Sequence, residues 1–390
     1  MRGAKGWGIA VVAAMLAGRA LAADDADLAP TPTPAPAGES AAATGESAAT
    51  CTGKHSCVPI EQPVEVVPNV WVSAGTIRSF VFPLIDSFGG DDVEIPVTAI
   101  RGARPGPTLA LTASIHGDEI IGVPILLKLR ETLKPEELAG MVLMLPVVNP
   151  FGFQRDTRYL PDRRDLNRFF PGNERGSLAN RIAHRVFHTF VMPSDYLIDF
   201  HTAASGRGNA PHVRADPRSA ASRSLAQSFG GMVVLHEAEA GTLRFAATSA
   251  GVPTALFEGG EATRIDSRSV EVGVRGVENV LSSLGMRPGS QASLAPPLWL
   301  RYSPWIRADV GGVMEAAVAL GDVVQANQLL LTIRDALRGE PLEVRSPSAG
   351  IVMSMVRAPV VQPGNALLRL GMIDAPPPVP TPTAEPEAPE

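Results

Sequence analysis

Residues 108–119 read Thr-Leu-Ala-Leu-Thr-Ala-Ser-Ile-His-Gly-Asp-Glu, and this stretch decides the fold. No residue from 108 to 115 is charged, as suits a strand covered on both faces within a parallel sheet. His116-Gly117-Asp118-Glu119 then break the run, and a helix is expected over about 119–133. Strand, polar turn and helix in that order make one βα unit, the building block of a sheet with parallel strands.

Outward from this unit the pattern repeats. Strands are expected at 141–148, 196–200, 232–235 and 254–257, and helices over about 177–191, 217–229 and 266–284. The helix at 177–191 follows Gly176-Ser177 and carries Leu178, Ile182, Val186 and Phe190 at helical spacing. Residues 59–290 are thus expected to form an α/β domain, a mixed and mainly parallel sheet flanked by helices. From 295 to 373 the texture changes to short β-rich pieces punctuated by Gly311-Gly312, Gly321-Asp322, Ser346-Pro347 and Pro363-Gly364, which predicts a small all-β domain. Its two similar halves resemble a biotinyl or lipoyl carrier domain. Carriers need an acceptor lysine, and the last lysine of the chain is Lys134, so no biotin or lipoate is expected there. It reads as a structural or access-restricting appendage.

The chain has 390 residues, 45% of them hydrophobic, which leaves room for two domains with tails. Residues 1–22 read as an export signal: Arg2 and Lys5, an apolar run from Trp7 to Ala17, then Ala20-Leu21-Ala22 before a mature start at Ala23. That run is too short to span a bilayer, and no later stretch is long enough. The expected location is outside the cytoplasm, periplasmic or secreted. Loss of the signal would take the formal charge from −6 to −9, against a nucleic-acid partner. Residues 23–58 form a Pro, Ala, Ser and Thr linker, and 374–390 a Pro and Glu tail, both too poor in apolar residues to order themselves. The two cysteines, Cys51 and Cys57, suit a small disulfide loop in an oxidising compartment. A metal site with His55 is the rival and lacks a fourth ligand nearby.

His116, Asn149, His201 and Glu258 each fall at or just beyond the C-terminal end of an expected strand. In an open α/β sheet that edge is where ligands bind. If Asp118 caps the following helix, Glu119 stands in its first turn, where free amides and the helix dipole favour a carboxylate. His116, Glu119 and His201 would then supply two imidazoles and one carboxylate with a position left open, the ligand set of catalytic zinc. Asp199 could orient one of the rings. An isolated His-x-x-Glu is common by chance, so the weight lies in the convergence.

Between strands, Asn149-Pro150, Arg155, Arg158-Tyr159 and Asp165-Leu166-Asn167-Arg168 occupy a long loop of mixed charge. A guanidinium in such a loop can pair with a carboxylate or polarise a carbonyl, although Asp156, Asp162 and Asp165 also allow a plain solvated loop. Glu258 suits a general base better than Glu261 beyond the Gly turn or Glu237 after another strand. Arg207 and Arg214 are further candidates for substrate contact. His184 and His188 lie four apart on a helix without an adjacent glutamate, which assigns them to a helix face.

Together these segments resemble the succinylglutamate desuccinylase and aspartoacylase family, relatives of the zinc carboxypeptidases. The resemblance spans about residues 95–285. It is carried by His116-Gly117-Asp118-Glu119, Arg158-Tyr159, Asp165-Leu166-Asn167-Arg168, Asp199-Phe200-His201-Thr202 and Phe257-Glu258-Gly259. It implies a single Zn2+ held by His116, Glu119 and His201, with Arg158 polarising the scissile carbonyl and Glu258 as base and proton shuttle. Asn167 and Arg168 would hold a substrate carboxylate. The implied reaction is hydrolysis of an amide or ester bond in a small molecule or peptide bearing a carboxylate. The export signal, and the charges Arg163 and Arg164 between Arg158 and Asn167, set the chain apart from cytoplasmic members. Two other readings fit the same residues: a metallocarboxypeptidase or amidase acting on peptides or cell-wall fragments, and a non-catalytic binding protein that keeps the cleft without the metal.

Overall fold

Unbroken apolar runs place the central strands where both of their faces are covered. The computed structural model describes residues 60–85, 92–288 and 296–373, apart from 336 and 338. The signal segment 1–22, the linker 23–58 with Cys51 and Cys57, and the tail 374–390 lie outside the described residues. β1 (Val64–Val67) and β2 (Val70–Val72) pair as a ribbon, and β3 (Thr76–Ile85) lies antiparallel to β4 (Val93–Arg101). The first βα unit follows as β5 (Arg104–Ala113), α1 (Gly122–Thr132) and β6 (Ala139–Leu145). A short α2 (Pro150–Phe153) opens the long loop, and α3 (Leu178–Val186) runs on into a π-helical turn at Phe187–Val191. Then come β7 (Tyr196–Ala203), β8 (Arg207–Ala215), α4 (Ala220–Phe229), β9 (Met232–Leu235), α5 (Leu243–Ser249), β10 (Thr254–Glu261) and α6 (Ser267–Ser283).

The sheet runs β3-β4-β6-β5-β7-β10-β8-β9. Its centre, β6-β5-β7-β10, is parallel, and β4 and β8 join antiparallel on either side, so the sheet is mixed. Leu109, Leu111 and Ala113 of β5 pack under α1, α4 and α6, whereas Ala110 joins the core beneath α3 and α5. Burial on both faces is why this strand reads as an unbroken apolar run.

Two expectations are corrected. The helix after β5 begins at Gly122 rather than 119: Ile121 precedes it with no side-chain cap, and residues 116–121 form an irregular segment of bends and turns. The C-terminal strands are not a separate appendage. β11 (Leu298–Tyr302) extends the sheet beside β9, and β12 (Ile306–Arg307) pairs with a later strand. After β13 (Gly312–Ala316), β14 (Val323–Val324), β15 (Leu329–Arg334) and β16 (Pro341–Arg345), the chain returns as β17 (Gly350–Val356), β18 (Val360–Val361) and β19 (Ala366–Ile373). β19 pairs with β11, β17 with β19, and β17 with β8, so that β8, β9, β11, β19 and β17 close on one another. A second sheet, β16-β15-β13-β18, covers this ring through a shared core that includes Val324, Leu331, Ile333, Val352 and Leu368. Backbone hydrogen bonds between β8 and β17 cross sequence positions that no local pattern links.

Candidate active site

β5 leads through α1 to β6 on one side, while β7 lies on its other side. The connections therefore diverge between β5 and β7, and the crevice beyond their carboxyl ends is the topological switch point. His116 follows β5, and His201 belongs to β7. Glu258 of β10 is the register partner of His201, one strand across.

In the crevice, Nδ1 of His116 and Oε1 of Glu119 are 2.8 Å apart, and Nδ1 of His201 and Oε2 of Glu119 are 2.7 Å apart. All three side chains are buried. Each ring turns its other nitrogen to a second carboxylate, Nε2 of His201 to Asp199 at 2.8 Å and Nε2 of His116 to Asp165 at 3.1 Å. Thr112 donates to the far oxygen of Asp199 at 2.7 Å. An Nε2 proton donated outward to these carboxylates would leave each Nδ1 lone pair for a cation at the centre, the arrangement that orients histidine ligands. Buried Nδ1 of His116 makes no well-aligned hydrogen bond, and its 2.8 Å approach to Glu119 suits two groups that would share a cation. His116, Glu119 and His201 are also the group of metal-ligating side chains whose atoms all lie within 4.8 Å, among the described residues.

Charge is balanced tightly here. Burial opposes a charge on His201, yet the Asp199 and Glu119 carboxylates outweigh it and hold the ring well above its ordinary value. Burial would raise the Glu119 carboxyl, but both rings carry it well below the usual range. Arg158 spans the pair of acids: its NH1 lies 2.8 Å from Glu119, and its Nε and NH2 both donate to Asp165. The fork is half-shielded and held in one orientation.

Asp118 does not cap α1. Its carbonyl accepts from the Thr263 amide at 2.7 Å, which ties the ligand loop to the segment after β10. Glu119 instead receives the Thr202 amide at 3.2 Å. Asn149 does not point into the cleft either: its side chain caps α2 through the Gly152 amide and reaches the Arg158 carbonyl. It shapes the loop that delivers Arg158. Gly117 touches that same turn, and a Cβ there would lie 2.0 Å from the carbonyl carbon of Gly152. Gly117→Ala is expected to cost about 1–3 kcal/mol in denaturant unfolding, because rigid backbone must move.

The cleft beyond the centre holds about 240 Å3. Glu258 lies in it, with Oε2 accepting from Asn209 at 2.7 Å and Oε1 3.3 Å from Arg214. Asn167, Arg168 and Arg207 line it as well. Asn167 accepts the Leu243 amide, Arg168 pairs with Glu239 at 3.4 Å, and Arg207 stacks 5.1 Å over Trp305. Glu237 lines the same cleft at its exposed rim, whereas Glu261 faces a different hollow. His184 and His188 tilt against each other, ring centroids 4.3 Å apart, away from the cleft and beside Phe82 and Leu84.

Residues 105–284 match the model of the succinylglutamate desuccinylase/aspartoacylase catalytic domain. Over 278 residues the chain is 31% identical to the N-alpha-acetyl-L-2,4-diaminobutyric acid deacetylase of Halomonas elongata, covering 67% of this chain and 80% of that protein. The chain belongs to the succinylglutamate desuccinylase/aspartoacylase family. Among solved structures it resembles a family member from Rhodobacter sphaeroides at 27% identity and a TM-score of 0.67, covering 76% of this chain and 96% of that one. A product-bound ectoine utilization protein from Ruegeria pomeroyi matches with the same identity and TM-score, covering 76% and 95%. Members of the family are amide hydrolases, and no described helix is long and apolar enough to cross a membrane.

Sequence reasoning named Arg207 and Arg214 but missed the strand β8 that carries them, and with it Asn209 and His212. Gly208 and Pro211 interrupt the segment, and only Val213 and Ala215 face the core while His212 and Arg214 face the cleft side. A period of two over four residues is too short a signal to separate from a loop. Asp165 was legible only as a loop charge, and its role beside His116 depends on how the loop folds back. Buried His212 is pushed down to about 3, first by desolvation and then by Arg214. Its folded value lies below the unfolded one, so the stability it contributes is present above about pH 6.5 and is lost as pH falls toward 3. The slope approaches about 1.4 kcal/mol per pH unit for this one proton. Thermal unfolding of His212→Asn should therefore show a shallower acid-side decline than wild type between pH 6.5 and 4.

Proposed function

We propose that the chain is an exported zinc-dependent deacylase that hydrolyses the amide bond of a small N-acyl amino acid carrying a carboxylate. The observation that carries this reading is the buried His116, Glu119 and His201 group with both Nδ1 atoms facing inward and both Nε2 atoms held by carboxylates. Two imidazoles and one carboxylate suit Zn2+ with an open position, and the inward Nδ1 of His116, 2.8 Å from Glu119, fits a shared cation. When bound, the ion supplies Lewis acidity toward the acyl carbonyl.

The chain's own side chains do the rest. Asp165 and Asp199 keep the two rings in one tautomer. Arg158, anchored between Glu119 and Asp165, offers fixed positive charge to an oxyanion developing on the carbonyl. Glu258 takes the proton of the attacking water and passes it to the departing nitrogen. Asn167 and Arg168 line the same cleft and would hold a substrate carboxylate.

Cleft charge supports an acidic substrate. Six arginines line it against four glutamates, before any metal charge is counted. Among the described residues, Arg207, Arg244 and Arg369 form no ion pair. Arg244 is held by the backbone carbonyls of His236 and Glu237, and burial with neighbouring Arg214 pushes it down to about 10. Of the three only Arg244 is buried, and an unpaired guanidinium so shielded is costly unless a ligand anion meets it. A cleft near 240 Å3 also sits below the usual range for larger ligands, which favours an acyl amino acid over a peptide.

The test is a hydrolysis panel with metal analysis of purified protein. N-succinyl-L-glutamate, N-acetyl-L-aspartate, N-acetyl-L-2,4-diaminobutyrate and C-terminal dipeptides are incubated with zinc-loaded protein. Fastest turnover on the acylated acidic amino acids is expected. Preference for the dipeptides would move the chain to the carboxypeptidase reading, and lack of metal with no turnover to the binding-protein one.

A further inference from the structure

Glu258 is held on both oxygens by side chains that are themselves braced from the C-terminal strands. Oε2 accepts from Nδ2 of Asn209, and Oδ1 of Asn209 accepts from the Ser354 hydroxyl at 2.6 Å. Asn209 and Ser354 are register partners of β8 and β17, so closure of the strand ring sets this contact. Oε1 faces Arg214, whose Nε donates to the Tyr302 hydroxyl of β11 at 2.9 Å. Tyr302 in turn donates to Nε2 of His212 at 2.5 Å, and Nδ1 of His212 donates to the Ala210 carbonyl at 2.7 Å. Glu258, Asn209, Ser354 and His212 are all buried.

We infer that Ser354 and Tyr302 are positioning residues for Glu258, acting through Asn209 and Arg214. The inference rests on Glu258 being the base, as proposed above. A carboxamide can turn either its oxygen or its nitrogen toward a carboxylate, and only the nitrogen attracts it. The Ser354 hydroxyl, spent on Oδ1, keeps the nitrogen facing Glu258. Tyr302 pins Nε of Arg214 and so fixes the plane of the guanidinium whose NH2 faces Oε1. A base moved by an ångström loses rate without losing affinity, since proton transfer depends on alignment and substrate binding does not. Tyr302 does not line the cleft, whereas Ser354 does, so the separation of kcat from KM distinguishes positioning from direct substrate contact.

Kinetics of the full-length zinc-loaded protein test this on N-succinyl-L-glutamate or N-acetyl-L-aspartate, whichever wild type hydrolyses faster. S354A and Y302F are each expected to lower kcat about tenfold, with KM within about twofold and metal content unchanged. S354T, which keeps the hydroxyl, should restore most of the rate. S354A combined with N209A should cost no more than N209A alone, because the two act through one contact; a side chain that only supports the fold would add its own loss. A kcat loss below about threefold in either single variant, an effect on KM alone, no restoration in S354T, or multiplied losses in the double variant each overturn the inference. E258Q is measured alongside. If it keeps turnover, or if wild type hydrolyses neither substrate, the functional reading falls and takes the inference with it. If E258Q is inactive while S354A and Y302F are not slowed, the inference alone falls.

Discussion

Glu258→Gln is expected to lower kcat by about 10^2 to 10^4-fold while the protein still binds its metal and its substrate. The exchange keeps shape and volume and removes the ability to take a proton. Asn209 can still donate to the amide oxygen, while the new NH2 faces Arg214, which loses its ion pair but stays held by the Tyr302 hydroxyl, so rearrangement is confined to that guanidinium. The cleft also loses one negative charge among its arginines, which should leave KM for a carboxylate substrate unchanged or slightly lower. Steady-state rates with metal content measured on the same sample check this. Wild-type turnover in the variant would remove Glu258 from the chemistry.

His201→Ala should abolish both metal retention and turnover, and should destabilise the fold as well. One of three ligands is lost, and Asp199, fully buried, keeps only the Thr112 hydroxyl as its side-chain donor. A buried carboxylate deprived of its partner typically costs about 3–5 kcal/mol. Elemental analysis, activity and thermal unfolding read the three effects separately. A chelator applied to wild type should reproduce the loss of turnover without removing a side chain, and added zinc should restore it. Stoichiometric metal in the variant would sink the ligand assignment.

How far the site could be read in advance depended on the range of the forces involved. His116 and Glu119 sit three residues apart at the end of a strand whose apolar run is unmistakable, so their proximity is a local matter. His201 and Glu258 fall at the ends of equally clear strands, and parallel neighbours in register bring them side by side. Asp118 does not start the helix, because cap chemistry is only a local preference and the Thr263 amide holds its carbonyl from across the sheet. The arginines of the cleft come from the loop before α3, from β8, from α5 and from β19, and nothing in the spacing of those segments announces a shared wall.

Periodicity and composition determined the α/β class and pointed to the crevice at the strand ends, because burial on two faces and helix spacing act over a few residues. The tertiary structure decided what those residues can do. Whether a ring nitrogen faces inward, whether an arginine keeps a counterion and whether the last strands stand apart or close against β8 are settled by hydrogen bonds between segments up to 145 residues apart. Contacts over that distance depend on the whole chain having folded, which is why no local pattern carries them.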